Sequence, residues 1–113
     1  MVLCTENGNM IILDFIKETE KYEEISRFSD AKGNVVACDI TDTGYAVYHD
    51  EKIVFIYKNH QILFQKIMIE DHEICFVDIS DDNSLLAVTT TTNKVFFYRF
   101  NSIEFKIWKE ITL

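Results

Sequence analysis

The chain has 113 residues, 48% hydrophobic and 13% aromatic, with three glycines and no proline. That is enough apolar material for one packed domain, and it excludes a chain that is disordered by composition. A formal net charge of −8 argues against direct nucleic-acid or anionic-membrane binding, both of which need clustered Lys and Arg.

Cys4, Cys38 and Cys75 are too sparse for a disulfide framework. The opening "MVLCTENGNM" lacks a basic segment followed by a long apolar one, so no signal peptide is expected. Apolar runs such as "IVFIY" (53–57) fall far short of the ~20 residues that span a bilayer. The expectation is an intracellular, cytoplasmic protein with no membrane contact.

Apolar residues come in short bursts separated by turn residues, which favours strands. In chain order the predicted strands are "VLCT" (2–5), "MIILDF" (10–15), "YEEISRF" (22–28), "VVACDI" (35–40), "YAVYH" (45–49) and "IVFIYK" (53–58). They continue with "ILFQKIMI" (62–69), "ICFVDIS" (74–80), "LLAVTT" (85–90), "KVFFYRF" (94–100) and "IEFKIW" (103–108). Asn7-Gly8 marks a hairpin between the first two. A helix over 15–28 is the alternative there, because Tyr22, Ile25 and Phe28 also fit a helical stripe. With so few glycines, loops must turn on Asn, Asp, Ser and Thr.

The chain repeats itself. Asp39-Ile40-Thr41-Asp42 aligns with Asp78-Ile79-Ser80-Asp81 at an offset of 39, and Val54-Phe55-Ile56-Tyr57 aligns with Val95-Phe96-Phe97-Tyr98 at an offset of 41. The opening "VLCTENGNMIILDF" matches the second half of the same unit. A period of about 40 with four strands per unit is the mark of a β-propeller blade. On these residues "HEICFVDISDDNSLLAVTTTTNKVFFYRF" resembles a WD repeat. Ile79-Ser80 precedes the Asp81-Asp82-Asn83 turn, and Tyr98-Arg99 stands where the family has Trp-Asp. No turn Asp occurs in "TTTTNK", and His72 sits nearer the Ser than the family's loop His. The family's His/Asp/Ser/Trp tetrad is therefore not expected.

The resemblance implies an all-β fold of antiparallel four-stranded blades. A partial blade would span 1–34, and further blades 35–73 and 74–113. The inner strands "VVACDI" and "ICFVDIS" should pack on both faces, burying Val36, Phe76 and Val77, with Phe96 or Phe97 buried on the third strand. Three blades cannot close a propeller, which takes at least about four. Two bare apolar faces are therefore expected, to be covered by further blades, a partner chain or self-association.

Candidate chemistry is sparse. His72-x-x-Cys75 has the residue types of a base and nucleophile, but no orienting group follows. The cysteines with His49, His60 and His72 lack zinc-site spacing. "DISDDNS" (78–84) alternates oxygens as calcium loops do, yet lacks their Gly and distal Glu, so a hairpin turn is expected. "TTTT" (89–92) is either a phosphoacceptor cluster or a strand end. No cofactor is implied. The candidate interaction loops are Lys32 and Asn34, His49 and Asp50, and Glu70, Asp71, His72 and Glu73, an acidic rim suited to a basic protein segment. The expected function is a non-catalytic protein–protein interaction scaffold. The alternative is a noncatalytic propeller subunit of an enzyme complex, such as an RNA-modifying methyltransferase.

Overall fold

The computed structural model describes residues 2–4, 9–29, 38–41, 44–59 and 62–113. Among the described residues there are eleven strands and no helix, hence no helix long and apolar enough to cross a membrane. Every strand pairing is antiparallel. Consecutive segments form three sheets. Sheet I holds β1 (Val2–Cys4), β2 (Met10–Ile16) and β3 (Lys21–Phe28). Sheet II holds β4 (Cys38–Ile40), β5 (Tyr45–His49), β6 (Ile53–Lys58) and β7 (Ile62–Met68). Sheet III holds β8 (Ile74–Ile79), β9 (Leu85–Thr90), β10 (Lys94–Phe100) and β11 (Phe105–Thr112).

Within each sheet the strands lie side by side in chain order. Where two sheets meet, β4 lies against β1 and β8 against both β4 and β5. Sheet II is the middle layer, and its pleat sorts residues to two cores. Ala46, Tyr48, Phe55 and Tyr57 pack on Met10, Ile12 and Phe28 of sheet I, with Phe28 stacked on Tyr57 at 3.9 Å between ring centres. Tyr45, Val47, Val54 and Ile56 pack on Val77, Leu86, Val88 and Tyr98 of sheet III.

The repeat seen in the sequence recurs in the backbone. The register slips by one residue between Ile12 and Leu13 in sheet I, between Ile56 and Tyr57 in sheet II, and between Phe97 and Tyr98 in sheet III. These are the same repeat position, three times. Each slip leaves one residue of the outer strand unpaired, namely Ile25, Phe64 and Trp108, as a β-bulge does. A cation over a ring recurs too. Lys58 Nζ lies 5.8 Å from the centre of Phe64, and the Arg99 guanidinium 4.0 Å from that of Trp108.

Most strand positions match the sequence expectation. Segment 15–28 is a strand hairpin, not a helix, turning at residues 17–20 with Glu20 at φ 56°. The last strand starts at Phe105 rather than 103 and runs on to Thr112. Its start is set by Asn101, whose Oδ1 accepts from the N–H groups of Ile103 and Glu104 and so holds those residues in the turn. The turns use Asn and Asp as expected, with left-handed backbone at Asn59, Asp71, Asn83 and Asn93, residue types that tolerate it.

Two burial expectations fail, at Phe76 and at the Phe96–Phe97 pair. Val77 is buried, but Phe76 is 52% exposed. Successive residues of β8 point to opposite faces, and only the face of Val77 is covered by sheet II. Phe96 and Phe97 are both half-buried. Among the described residues the strands buried on both faces are β5 and β6, whereas β8 is buried on one face and of the other expected inner strand Asp39 and Ile40 are half-buried. Val36 and the Asn7-Gly8 turn lie outside the described residues.

Candidate interaction face

Three connections gather at one end of sheets II and III. The β5–β6 turn meets the β7–β8 loop through backbone bonds, Ile69 N–H to the Lys52 carbonyl and Ile74 N–H to the Glu51 carbonyl, both 2.8 Å. Lys52 Nζ reaches the His72 carbonyl at 3.5 Å. The β9–β10 turn joins them, with Thr91 N–H donating to the Glu73 carbonyl at 2.9 Å. The cluster exposes Glu51, Glu70, Asp71 and Glu73, with His72 half-buried among them.

Two of the predicted loop residues are not surface groups. His49 is fully buried at the end of β5, and Asp50 is 8% exposed. Asp50 Oδ1 accepts from the N–H groups of Lys52 (2.9 Å) and Ile53 (2.8 Å), which holds the turn closed. In sheet III the corresponding job falls to Thr90, whose hydroxyl accepts from Lys94 N–H at 3.2 Å. So "TTTTNK" turns without an Asp. Lys32 and Asn34 lie outside the described residues.

His49 Nδ1–H donates to the Asp50 carbonyl at 2.8 Å. That bond makes Nε2 the acceptor nitrogen, and Nε2 is buried with no hydrogen-bond partner among the described residues. Burial holds the His49 pKa below its ordinary value, against the pull of the Asp50 carbonyl and charge. His72 is engaged differently. Its Nδ1 lies 2.7 Å from Thr92 Oγ1, which in turn lies 3.0 Å from Thr90 Oγ1. Its nearby partner is a threonine hydroxyl of the next turn.

"DISDDNS" is a hairpin turn built on side-chain oxygens. Asp82 Oδ1 accepts from Ser80 Oγ (2.7 Å), Ser84 Oγ (2.6 Å) and Ser84 N–H (3.0 Å). Bonds from the two serines, Ser84 foremost, hold its carboxyl down to about 2. Ser80 Oγ accepts from Leu85 N–H at 3.0 Å. Thr41 Oγ1 does the same for Tyr45 N–H at 3.2 Å in sheet II.

Two polar locks between sheets II and III escaped the sequence. Gln65 donates from Nε2 to the Phe105 carbonyl and accepts the Phe105 N–H at Oε1, both at 2.8 Å. The amide thus pairs with a strand backbone as another strand would. At the opposite edge Asp39 Oδ2 accepts Ile79 N–H at 3.1 Å. Burial raises the Asp39 pKa; the Ile79 N–H opposes this, and the neighbouring Asp78 carboxyl adds to it. A lone Gln in a polar outer strand carries no signal in the sequence. Asp39 does recur as Asp78, which was a usable hint.

Among the described residues, nothing covers the two outer faces of the stack. On sheet III, Phe76 and Trp108 are 52% and 50% exposed, beside half-buried Val95 and Phe97. On sheet I, Phe15 and Tyr22 are 46% and 53% exposed and meet edge to face at 5.3 Å. No family model matches the sequence, and no curated protein matches it significantly.

Proposed function

We propose that this chain is a non-catalytic protein–protein interaction scaffold, built of three WD-repeat-like propeller blades that assemble with further blades. The observation that carries the proposal is the bulge repeated at one position in all three sheets. Sheets of three, four and four antiparallel strands stacked face to face, with neighbouring first strands in contact, resemble the way blades pack around an axis. A rigid stack of this kind presents its connecting loops in fixed positions.

The presented surface is the acidic cluster of Glu51, Glu70, Asp71 and Glu73. Its backbone is held by bonds between three loops, so little ordering is needed on binding. Four carboxylates around a half-buried histidine suit a Lys- and Arg-rich protein segment. Titration with a basic peptide tests this. Binding should weaken steeply between about 50 and about 500 mM salt, as exposed charge pairs do. Glu70→Lys with Glu73→Lys should abolish it. Binding that survives both changes would overturn the assignment of this face.

A further inference from the structure

The repeat assigns each open face a role. In sheet II, Val54, Ile56 and Phe64 point toward sheet III, while Phe55 and Tyr57 point back toward sheet I. By repeat position, Val95, Phe97 and Trp108 of sheet III are the forward set, and no sheet of the described residues lies in front of them. Ile11, Leu13 and Phe15 of sheet I are the backward set, half-buried or exposed and with no sheet behind. The two bare faces thus repeat the two halves of the interface that the chain already makes between sheets II and III, except that sheet I has no described counterpart of β8.

From this we infer that two copies of the chain join head to tail, the outer face of sheet III on one copy covering the outer face of sheet I on the other. The inference rests on the propeller reading above and names its missing partner. Two observations select a second copy. The first is continuity with the II–III interface. There Phe64 lies 6.1 Å from Phe100. Trp108 and Phe15 hold those positions at the open ends, so Trp108 should meet Phe15 of the other copy. The second is charge. Residues 14–27 carry Asp14, Glu18, Glu20, Glu23 and Glu24 against Lys17, Lys21 and Arg27. Residues 94–112 carry Lys94, Arg99, Lys106 and Lys109 against Glu104 and Glu110. In a chain of net charge −8 the last hairpin is locally basic and the first acidic, which favours head-to-tail contact over pairing like ends.

Number selects two copies. Head-to-tail contacts close into a ring or run on as a filament. Propellers close with roughly four to eight blades. Two copies supply six sheets and three copies nine, so the ring closes at two.

Trp108 is the only tryptophan in the chain and lies in the inferred contact, so its emission reports that face directly. The experiment pairs light scattering with Trp108 emission and acrylamide quenching across a micromolar dilution series. The expected result is a mass of twice 13.3 kDa with blue-shifted, shielded emission, both lost together on dilution. Leu13→Glu and Phe97→Glu should each give monomers, with circular dichroism confirming that each still folds. Mixed one to one they should form a dimer, because one intact interface survives. A dimer that persists in either variant alone, or whose Trp108 stays open to quencher, overturns the head-to-tail assignment. A wild-type monomer with exposed Trp108 overturns the second copy but leaves the open-blade reading standing. A monomer with shielded Trp108 overturns both.

Discussion

Sheets II and III carry the same repeat, the same bulge and the same cation over a ring, yet among the described residues only sheet II is covered on both faces. Ile56 and Phe97 occupy one repeat position. Ile56 has no exposed surface and Phe97 is half-buried. Burial in this fold therefore depends on what stands in front of a strand as much as on the strand's own residues. Hydrophobic stabilisation follows the area removed from water, so equivalent side chains should differ in energetic weight.

The sharpest way to break the comparison is to truncate both. Ile56→Ala should lower unfolding stability by about 2–5 kcal/mol, since it removes a fully packed side chain and leaves a cavity. Phe97→Ala, measured by urea unfolding at dilutions where sheet III stays uncovered, should cost about 1 kcal/mol or less, nearer the range of surface changes. Equal losses would mean that the outer face of sheet III is already covered within one chain.

The interlocking edge gives the next contrast. Gln65 makes two bonds to the Phe105 backbone, and Lys109 sits opposite Phe97 as Gln65 sits opposite Ile56. Gln65→Leu should cost about 1–3 kcal/mol, because a half-buried N–H and carbonyl lose their partners. Lys109→Leu, again at dilution, should stay within about 0.5 kcal/mol. Urea midpoints of the two variants decide between a sheet lock and an incidental contact.

How much of this was legible depended on the kind of signal. Strand positions were, because apolar bursts and Asn/Asp turns act locally; "YAVYH", "IVFIYK" and "KVFFYRF" coincide with β5, β6 and β10. The all-β class and antiparallel pairing followed from them. Side-chain direction was less legible. Phe76 and Val77 are both apolar, and which one faces a neighbour is settled by the pleat and by the presence of sheet II. His49 and Asp50 looked like loop residues because they are polar, whereas one ends a buried strand and the other closes a turn. The expected interaction loops at 49–50 and 70–73 do lie together, since Ile69 and Ile74, which flank the second, donate their N–H groups to the Lys52 and Glu51 carbonyls beside the first.

His49 offers a smaller contrast, one of pH. Its counterpart by register in sheet III is Thr89, since His49 pairs with Val54 as Thr89 pairs with Val95. The folded chain holds His49 neutral, with its pKa below the ordinary 6.5. The unfolded chain therefore takes up a proton first as pH falls. Stability should be full above about pH 6.5 and decline below it until the folded-state pKa is passed. His49→Leu should remove that slope, and urea midpoints at pH 7.5 and 5 will show whether it does.

The smallest expected effect lies in the hairpin turns of the two sheets. Both turns use a hydroxyl to hold a strand N–H, Thr41 for Tyr45 and Ser80 for Leu85. The sheet III turn adds Asp82, whose carboxylate gathers both serine hydroxyls. Its folded pKa of about 2 lies below the ordinary 3.8, so its contribution is present above about pH 3.8 and lost as pH falls through about 2. The group is solvent-exposed, so solvent screening keeps the effect modest. Asp82→Asn should lower the urea midpoint slightly at pH 7 and leave it unchanged at pH 2, where the wild-type carboxyl is itself losing its charge. The same substitution should not alter the acid slope assigned to His49, because the two groups sit at separate turns and bond to different partners. A large loss at neutral pH, comparable with that of Ile56→Ala, would mean that the serine–aspartate turn sets the pairing of β8 with β9.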